Sequence, residues 1–198
     1  MVVDFLQTCG TLTLILLFSS AATLEPYDLL YDSGVEAFQR GDYANAVRNI
    51  EKALDNVAQL RQRKIRCGLE CRDEHTLDTK ATETELQLFD VVLRRAACLN
   101  HCAERNLGSP SMHKVSADVN QDFHRRIPYN YLQLAYLKLK QPEKATAAAH
   151  TYFQANPEHI EINLEKFKAL HGVDEKHFID REAHPHQASD LTINPSIL

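Results

Sequence analysis

Two Cys-x3-Cys pairs, Cys67/Cys71 and Cys98/Cys102, restrict what this chain can fold into more than any other feature. Residues i and i+4 share one face of a helix. Two such pairs on neighbouring antiparallel helices meet as two rungs, Cys71 with Cys98 near the connecting loop and Cys67 with Cys102 further from it. Pairing within one helix is poor, because the Cβ vectors run side by side instead of toward each other. The rungs close loops of about 28 and 36 residues, to which chain entropy assigns about 3–4 kcal/mol each, less for whichever closes second. The same spacing permits a zinc site of four thiolates. Four buried free cysteines are the plain alternative.

The N-terminus bears on that choice. Thr11–Phe18 is apolar apart from two threonines, and Ser19-Ser20-Ala21-Ala22 follows. An apolar run followed by small residues predicts a signal peptide over residues 1–22, cleaved after Ala21 or Ala22, although Asp4 stands where a basic residue is usual. About twelve apolar residues fall short of the ~20 that span a bilayer. A buried N-terminal helix is the competing reading. Cleavage removes Cys9 and leaves four cysteines in an oxidising compartment, which favours disulfides over zinc.

The remaining pattern is helical. Leu29, Leu30, Val35, Ala37 and Phe38 predict a first helix, Arg40-Gly41-Asp42 a tight turn, and Ala46, Ile50 and Ala53 the start of a second. Gly34, Gly41, Ala46 and Ala53 sit where a tetratricopeptide repeat (TPR) takes small residues so that its two helices can approach closely. Pro128–Glu158 reads as a second copy, with Tyr129, Leu132, Tyr136, Ala145 and Pro157 at the repeat's spacings. Pro142 opens its partner helix, where a missing N–H costs nothing. The first copy lacks the signature Trp and terminal Pro, and Gln133 replaces a small residue in the second.

Ala46, Ile50, Ala53, Val57, Leu60, Lys64, Cys67 and Cys71 alternate by four and three, which is one continuous helical stripe. The second helix is therefore predicted to run from about Tyr43 to Arg72. Asp73–Thr84 reads as a loop. Leu88, Val91, Val92, Cys98 and Cys102 predict a returning helix from about Glu85, stopped by Asn106-Leu107-Gly108-Ser109-Pro110. Ser116 or Asp118 opens a short helix through Asp122 to Arg126, interrupted at Ile127-Pro128. Further helices are predicted over Glu158–Leu170 and Asp174–Arg181, and residues 184–198 as a disordered tail. The expected architecture is all-α, with TPR-like antiparallel hairpins in residues 23–183 and a disulfide-stapled long hairpin.

No catalytic constellation emerges. A formal charge of −5 without long runs of one sign gives no footprint for nucleic acid and no polybasic membrane patch. There is no Gly-rich phosphate loop, nucleophile elbow or His-Glu-x-x-His. None of the ten histidines opens the His-x-Asp of an iron dioxygenase. His159-Ile160-Glu161 reads as a capped first turn, and His184-Pro185-His186 as a solvated tail. Catalytic residues, resident metal and cofactor are thus expected to be none. Tyr129, Tyr131 and Tyr136, with Phe123, cluster around Pro128. They are the candidate partner-binding surface, suited to a proline-rich or extended segment. Helix-spaced aromatics are more often core, and Tyr131 is the one expected to be exposed.

Several segments together resemble one family. They are Pro26-Tyr-Asp-Leu-Leu-Tyr-Asp-Ser-Gly34, the twin cysteine pairs, Leu93-Arg-Arg-Ala-Ala-Cys98, Arg125-Arg-Ile-Pro-Tyr-Asn-Tyr-Leu-Gln-Leu-Ala-Tyr136, Ala147-Ala-Ala-His-Thr151 and Asn156-Pro-Glu-His159. The chain is similar over about residues 27–186 to the N-terminal helical region of the leprecan family, the collagen prolyl 3-hydroxylases and cartilage-associated protein. It looks closer to the hydroxylases. The resemblance implies the endoplasmic reticulum lumen or secretion. It also implies work on procollagen with cartilage-associated protein and a cyclophilin-type prolyl isomerase. The family's hydroxylases carry a dioxygenase domain that uses iron, 2-oxoglutarate and ascorbate, and no position here matches those ligands. The end, Asn194-Pro-Ser-Ile-Leu198, departs from the Lys-Asp-Glu-Leu-type retention signal, so a truncated isoform or partial product is one expectation.

The leading expectation is a non-catalytic interaction module. One alternative is the N-terminal portion of a procollagen-proline 3-dioxygenase. Another is an intermembrane-space protein with twin Cys-x3-Cys helices, which the signal-like segment and the long gap between the pairs disfavour.

Overall fold

The structure, a computed structural model, describes residues 24–76, 85–159, 172 and 174–183. Within them lie six α-helices and no strand: α1 (Tyr27–Gln39), α2 (Tyr43–Glu74), α3 (Glu85–Leu107), α4 (Ala117–His124), α5 (Ile127–Lys138) and α6 (Pro142–Ala155). The predicted signal segment 1–22, residues 77–84 of the predicted Asp73–Thr84 loop, residues 160–170 and the tail 184–198 lie outside the described residues.

Two hairpins, α1–α2 and α5–α6, turn in the same way. After α1 the chain enters the left-handed region at Gly41 (φ 80°). Gly41 N donates to Phe38 O and Asp42 N to Ala37 O, at 3.0 and 2.9 Å, which satisfies the last carbonyls of the helix. Asp42 then caps α2, accepting from Asn45 N at 3.2 Å. After α5 the same pair of bonds recurs, Lys140 N to Leu137 O and Gln141 N to Tyr136 O, at 3.1 and 2.9 Å. Here the left-handed residue is Lys140 (φ 57°), not glycine. That substitution costs about 1–2 kcal/mol of backbone strain. Pro142 in the first turn of α6 gives up no bond.

Small residues set how closely the helices pack. Ala46, Ala53, Ala135, Ala145 and Ala148 are fully buried at the contacts, and Gly34 lets α1 lie against Ile50 of α2. One apolar cluster joins both hairpins through Tyr27, Leu30, Ile50, Tyr129, Leu132 and Tyr136. Leu29, read from the sequence as part of the apolar face of α1, is instead 58% exposed. Tyr27 and Tyr31 supply that face together with Leu30 and Ala37.

α2 is 32 residues long and outruns this core. α3 returns along its far half, and the four cysteines form a small cluster separate from the main one. The helix persists to Glu74, past the predicted end at Arg72, and Arg95 Nε holds the next carbonyl, His75 O, at 2.7 Å. The break near Pro128 falls on Arg126, one residue before the predicted site. Arg126 is left-handed (φ 56°, ψ 28°), and Pro128 sits in the first turn of α5. Asp174–Arg181 is not a helix. A 3-10 turn covers Glu175–His177, and the chain then runs irregularly to Ala183. Its backbone bonds locally, His177 N to Asp174 O, Phe178 N to Glu175 O and Ala183 N to Asp180 O, while Asp180 and Arg181 reach Arg126, Thr151 of α6 and Glu51 of α2. Of the predicted helix Glu158–Leu170, the described part belongs to a 3-10 turn, Pro157–His159.

Candidate functional site

Two features outside the plain core hold chemistry: the cysteine staple on the α2–α3 hairpin, and a groove across α2, α5 and α6.

In the staple, Cys67 joins Cys102 and Cys71 joins Cys98, with S–S distances of 2.02 and 2.00 Å and Cα separations of 5.8 and 5.7 Å. The geometry is that of two rungs between antiparallel helices. Asn106 Nδ2 donates to Cys102 O at 3.0 Å, and Arg63 Nη1 donates to Asn106 O at 2.8 Å, tying the end of α3 to α2. Glu74 and Glu70 place carboxylate oxygens 3.6 and 3.7 Å from Cys98 and Cys102 sulfurs. A disulfide sulfur has no proton to donate, so these are contacts only. Glu74, His75 and Cys98 bring ligand-type atoms within 4.8 Å of one another. With the sulfurs bonded in pairs, no thiolate is left for a four-cysteine zinc centre.

The tyrosines predicted as a partner surface all lie on α5, but they face different ways. Tyr129 and Tyr136 are 4% exposed. Tyr131 is half-buried, in edge contact with Tyr31 and Phe38 at centroid distances of 6.3 and 5.3 Å. Phe123 packs on Tyr27 and Tyr31 instead. Tyr129 and Tyr136 thus form the floor of a groove and do not project from the surface.

Over that floor lies Arg181. Its Nη1 and Nη2 donate to Glu51 Oε1 and Oε2 at 2.8 and 2.6 Å, and its guanidinium sits 5.3 Å from the Tyr129 ring centre. The Tyr136 hydroxyl donates to the same Glu51 oxygen. Burial pushes the Glu51 carboxyl up. The Arg181 guanidinium and the Tyr136 hydroxyl outweigh that and hold it below the usual glutamate value. Burial, and for Tyr136 the bond to Glu51, raise both tyrosines well above the ordinary phenol. Next to this pocket, Arg126 Nη1 donates to Thr151 O at 3.0 Å and to both Asp180 oxygens at 3.2 Å, while its Nε lies 3.4 Å from Glu182. Thr151 Oγ1 accepts from Arg181 N at 2.9 Å. Sequence reasoning passed over Glu51, Arg126 and Arg181. Glu51 and Arg181 are 130 residues apart, and no local pattern links them. His159 lies in the 3-10 turn after α6. Glu161, His184 and His186 lie outside the described residues.

Repeated antiparallel hairpins with a common turn and small residues at their contacts define a TPR-like helical protein. More particularly, the chain belongs to the leprecan family. The model of the "Leprecan family TPR-like repeat region" matches residues 26–192. Prolyl 3-hydroxylase 2 of Homo sapiens is 49% identical over 173 residues, covering 84% of this chain and 24% of the relative. Prolyl 3-hydroxylase 1 of Mus musculus is 44% identical over 176 residues, covering 80% and 23%. The chain therefore spans about a quarter of the length of the curated relatives it matches. No described helix is long and apolar enough to cross a membrane.

Proposed function

We propose that this chain is a non-catalytic helical interaction module acting in procollagen modification and folding in the endoplasmic reticulum. The observation that carries this is the extent of the match: it falls on the TPR-like repeat region of the family, over residues 26–192. Stacked helical hairpins present extended surfaces for partners. The partners proposed are procollagen, cartilage-associated protein and a cyclophilin-type prolyl isomerase. Paired cysteines fit an oxidising compartment. Iron, 2-oxoglutarate and ascorbate have no proposed role on these residues.

The test is expression of the tagged chain in collagen-secreting cells, followed by fractionation and affinity capture. Procollagen chains or cartilage-associated protein should co-purify from the secretory fraction. Strict confinement to the cytosol overturns the proposal.

The names of the relatives favour one second reading, that the chain is a portion of a procollagen-proline 3-dioxygenase. Turnover of 2-oxoglutarate by the purified chain with a procollagen peptide separates the two. We expect none above background, and clear iron-dependent turnover establishes the second reading.

A further inference from the structure

Residues 178–183 cross the helical body as a strap, and nearly everything that holds them is polar. Ile179 is 56% exposed, and Phe178 meets the His150 ring edge-on at 6.0 Å. Arg181 lies over the Tyr129 ring, and the polar contacts include Arg181 to Glu51, Asp180 and Glu182 to Arg126, Arg181 N to Thr151 Oγ1 and Thr151 Oγ1 to Ile179 O. In this acidic-Arg-acidic triplet both acids meet Arg126 and the arginine meets Glu51. The ion-paired side chains remain 19–31% accessible, so water competes for them and the strap leaves at lower cost than a core helix.

The pocket that receives Arg181 belongs to the helices. Glu51 stands on α2, and Tyr129 and Tyr136 on α5, within the apolar cluster that joins the two hairpins. The bond from Tyr136 to Glu51 orients the carboxylate without help from the strap. A part-buried carboxylate over an aromatic floor calls for a planar cation that can bind in two places and stack, and that is a guanidinium. Arg126 reaches its position from a left-handed backbone, a strained conformation for a residue with a side chain. The groove also continues past the strap on both sides. One cleft runs along Val47, Glu51, Tyr136 and Lys144, and the other along Leu54, Val57, Phe123 and Tyr129, each with Arg181 in its wall.

We propose that Glu51, Tyr129 and Tyr136, with Arg126 beside them, form a recognition site for a peptide turn bearing an arginine between acidic residues, and that Asp180-Arg181-Glu182, closed as a turn by the bond from Ala183 N to Asp180 O, occupies it in cis. The tethered strap acts as a competitor at an effective concentration on the order of millimolar, so a free segment binds well only when the strap is weakened. This inference goes beyond the proposed function and does not depend on the partners named there. Peptide binding and co-purification can succeed or fail separately.

The experiment uses the full chain and a fluorescein-labelled peptide of residues 178–183, Phe-Ile-Asp-Arg-Glu-Ala, read by anisotropy. Arg181→Ala empties the pocket and should bind the peptide at least about tenfold more tightly than the wild type. Adding Glu51→Gln, or replacing the peptide's arginine by glutamine, should remove that gain. Asp180→Asn loosens the strap at Arg126 without touching the pocket, and should raise binding several-fold. It decides the matter if Arg181→Ala does not fold. The proposal is overturned if the folded Arg181→Ala chain binds no better than wild type, if Glu51→Gln leaves its binding unchanged, or if Asp180→Asn gives no rise.

Discussion

Gly34 and Gly68 are both interior helical glycines, and replacing each by alanine should have clearly different effects. A Cβ built at Gly34 lies 2.5 Å from Ile50 Cγ1, about 0.9 Å short of the 3.4 Å at which ordinary contact begins, with Ile50 N at 3.3 Å and Ala46 O at 3.4 Å behind it. Cγ1 is the first atom out on a β-branched side chain and cannot swing aside freely. Ile50 is itself fully buried. The new methyl must therefore push α1 away from α2. A Cβ at Gly68 meets nothing within 4 Å. Either substitution gains about 1 kcal/mol of helix propensity. Gly34→Ala also incurs about 1–3 kcal/mol of overpacking. The net effect at Gly34 ranges from neutral to about 2 kcal/mol of destabilisation, and at Gly68 it is a gain of about 1 kcal/mol. Because the propensity gain is common to both, the difference between the two variants isolates the steric cost. Urea unfolding followed by far-UV circular dichroism should place Gly68→Ala about 1–3 kcal/mol above Gly34→Ala, and melting temperatures should separate by about 2–4 °C per kcal/mol. Ile50→Ala, which removes the clashing carbon, should cost less in the Gly34→Ala background than alone, by about 1 kcal/mol or more. Equal stability of the two glycine variants, or a coupling of zero, refutes the close approach of α1 and α2 at this point.

The rungs give a second prediction. Removing both, by Cys→Ser at positions 67, 71, 98 and 102, should destabilise the oxidised chain by about 4–6 kcal/mol in the chain-entropy limit. That sum reflects one long loop, Cys71 to Cys98 at a separation of 27. The second rung then closes only a ring of about eight residues. Either single-rung variant should lose clearly less than the double, and equal losses would show that the rungs do not act on one hairpin. A third prediction concerns acid. The Glu51 carboxyl is held below its ordinary 4.5 in the folded chain, so its contribution is full above that pH and fades as pH falls further. Arg181 keeps its charge throughout. The melting-temperature gap between wild type and Glu51→Gln should be constant near neutrality and narrow as pH drops below 4.5. A gap that widens in acid reverses the sign and discards the pairing.

How much of this was legible in the sequence depends on the range over which each feature is encoded. Local features carry their own signals. The Gly41-Asp42 turn, the Ser116 cap and Pro142 at the start of α6 are each written in a few adjacent residues, because capping satisfies backbone groups within one turn. The stripe from Ala46 to Cys71 fixes a single long helix, because helical period places residues on a face wherever the helix goes. The Cys-x3-Cys spacing likewise places each pair on one face, and antiparallel helices leave one natural matching. The resemblance to the leprecan family came from the same chain of residues.

Tertiary structure decided the rest. Helical spacing put Tyr129, Tyr131 and Tyr136 together on α5. Only the rotation of α5 against α1, α2 and α6 made two of them a buried floor and left the third half-exposed. At the end of α2 the His75 carbonyl accepts from Arg95, a side chain from the opposing helix. Asp174–Arg181 has a composition compatible with helix, yet only Glu175–His177 turns, as a 3-10 turn, and Asp180 and Arg181 are held by Arg126, Thr151 and Glu51. Arg181 and Glu51 meet across 130 residues. Such a pairing depends on the orientation of several helices at once, and no window of sequence contains it. The sequence by itself located the six described helices to within a few residues, because caps and helical period are local. Only the packing of those helices decided which polar groups meet across the groove.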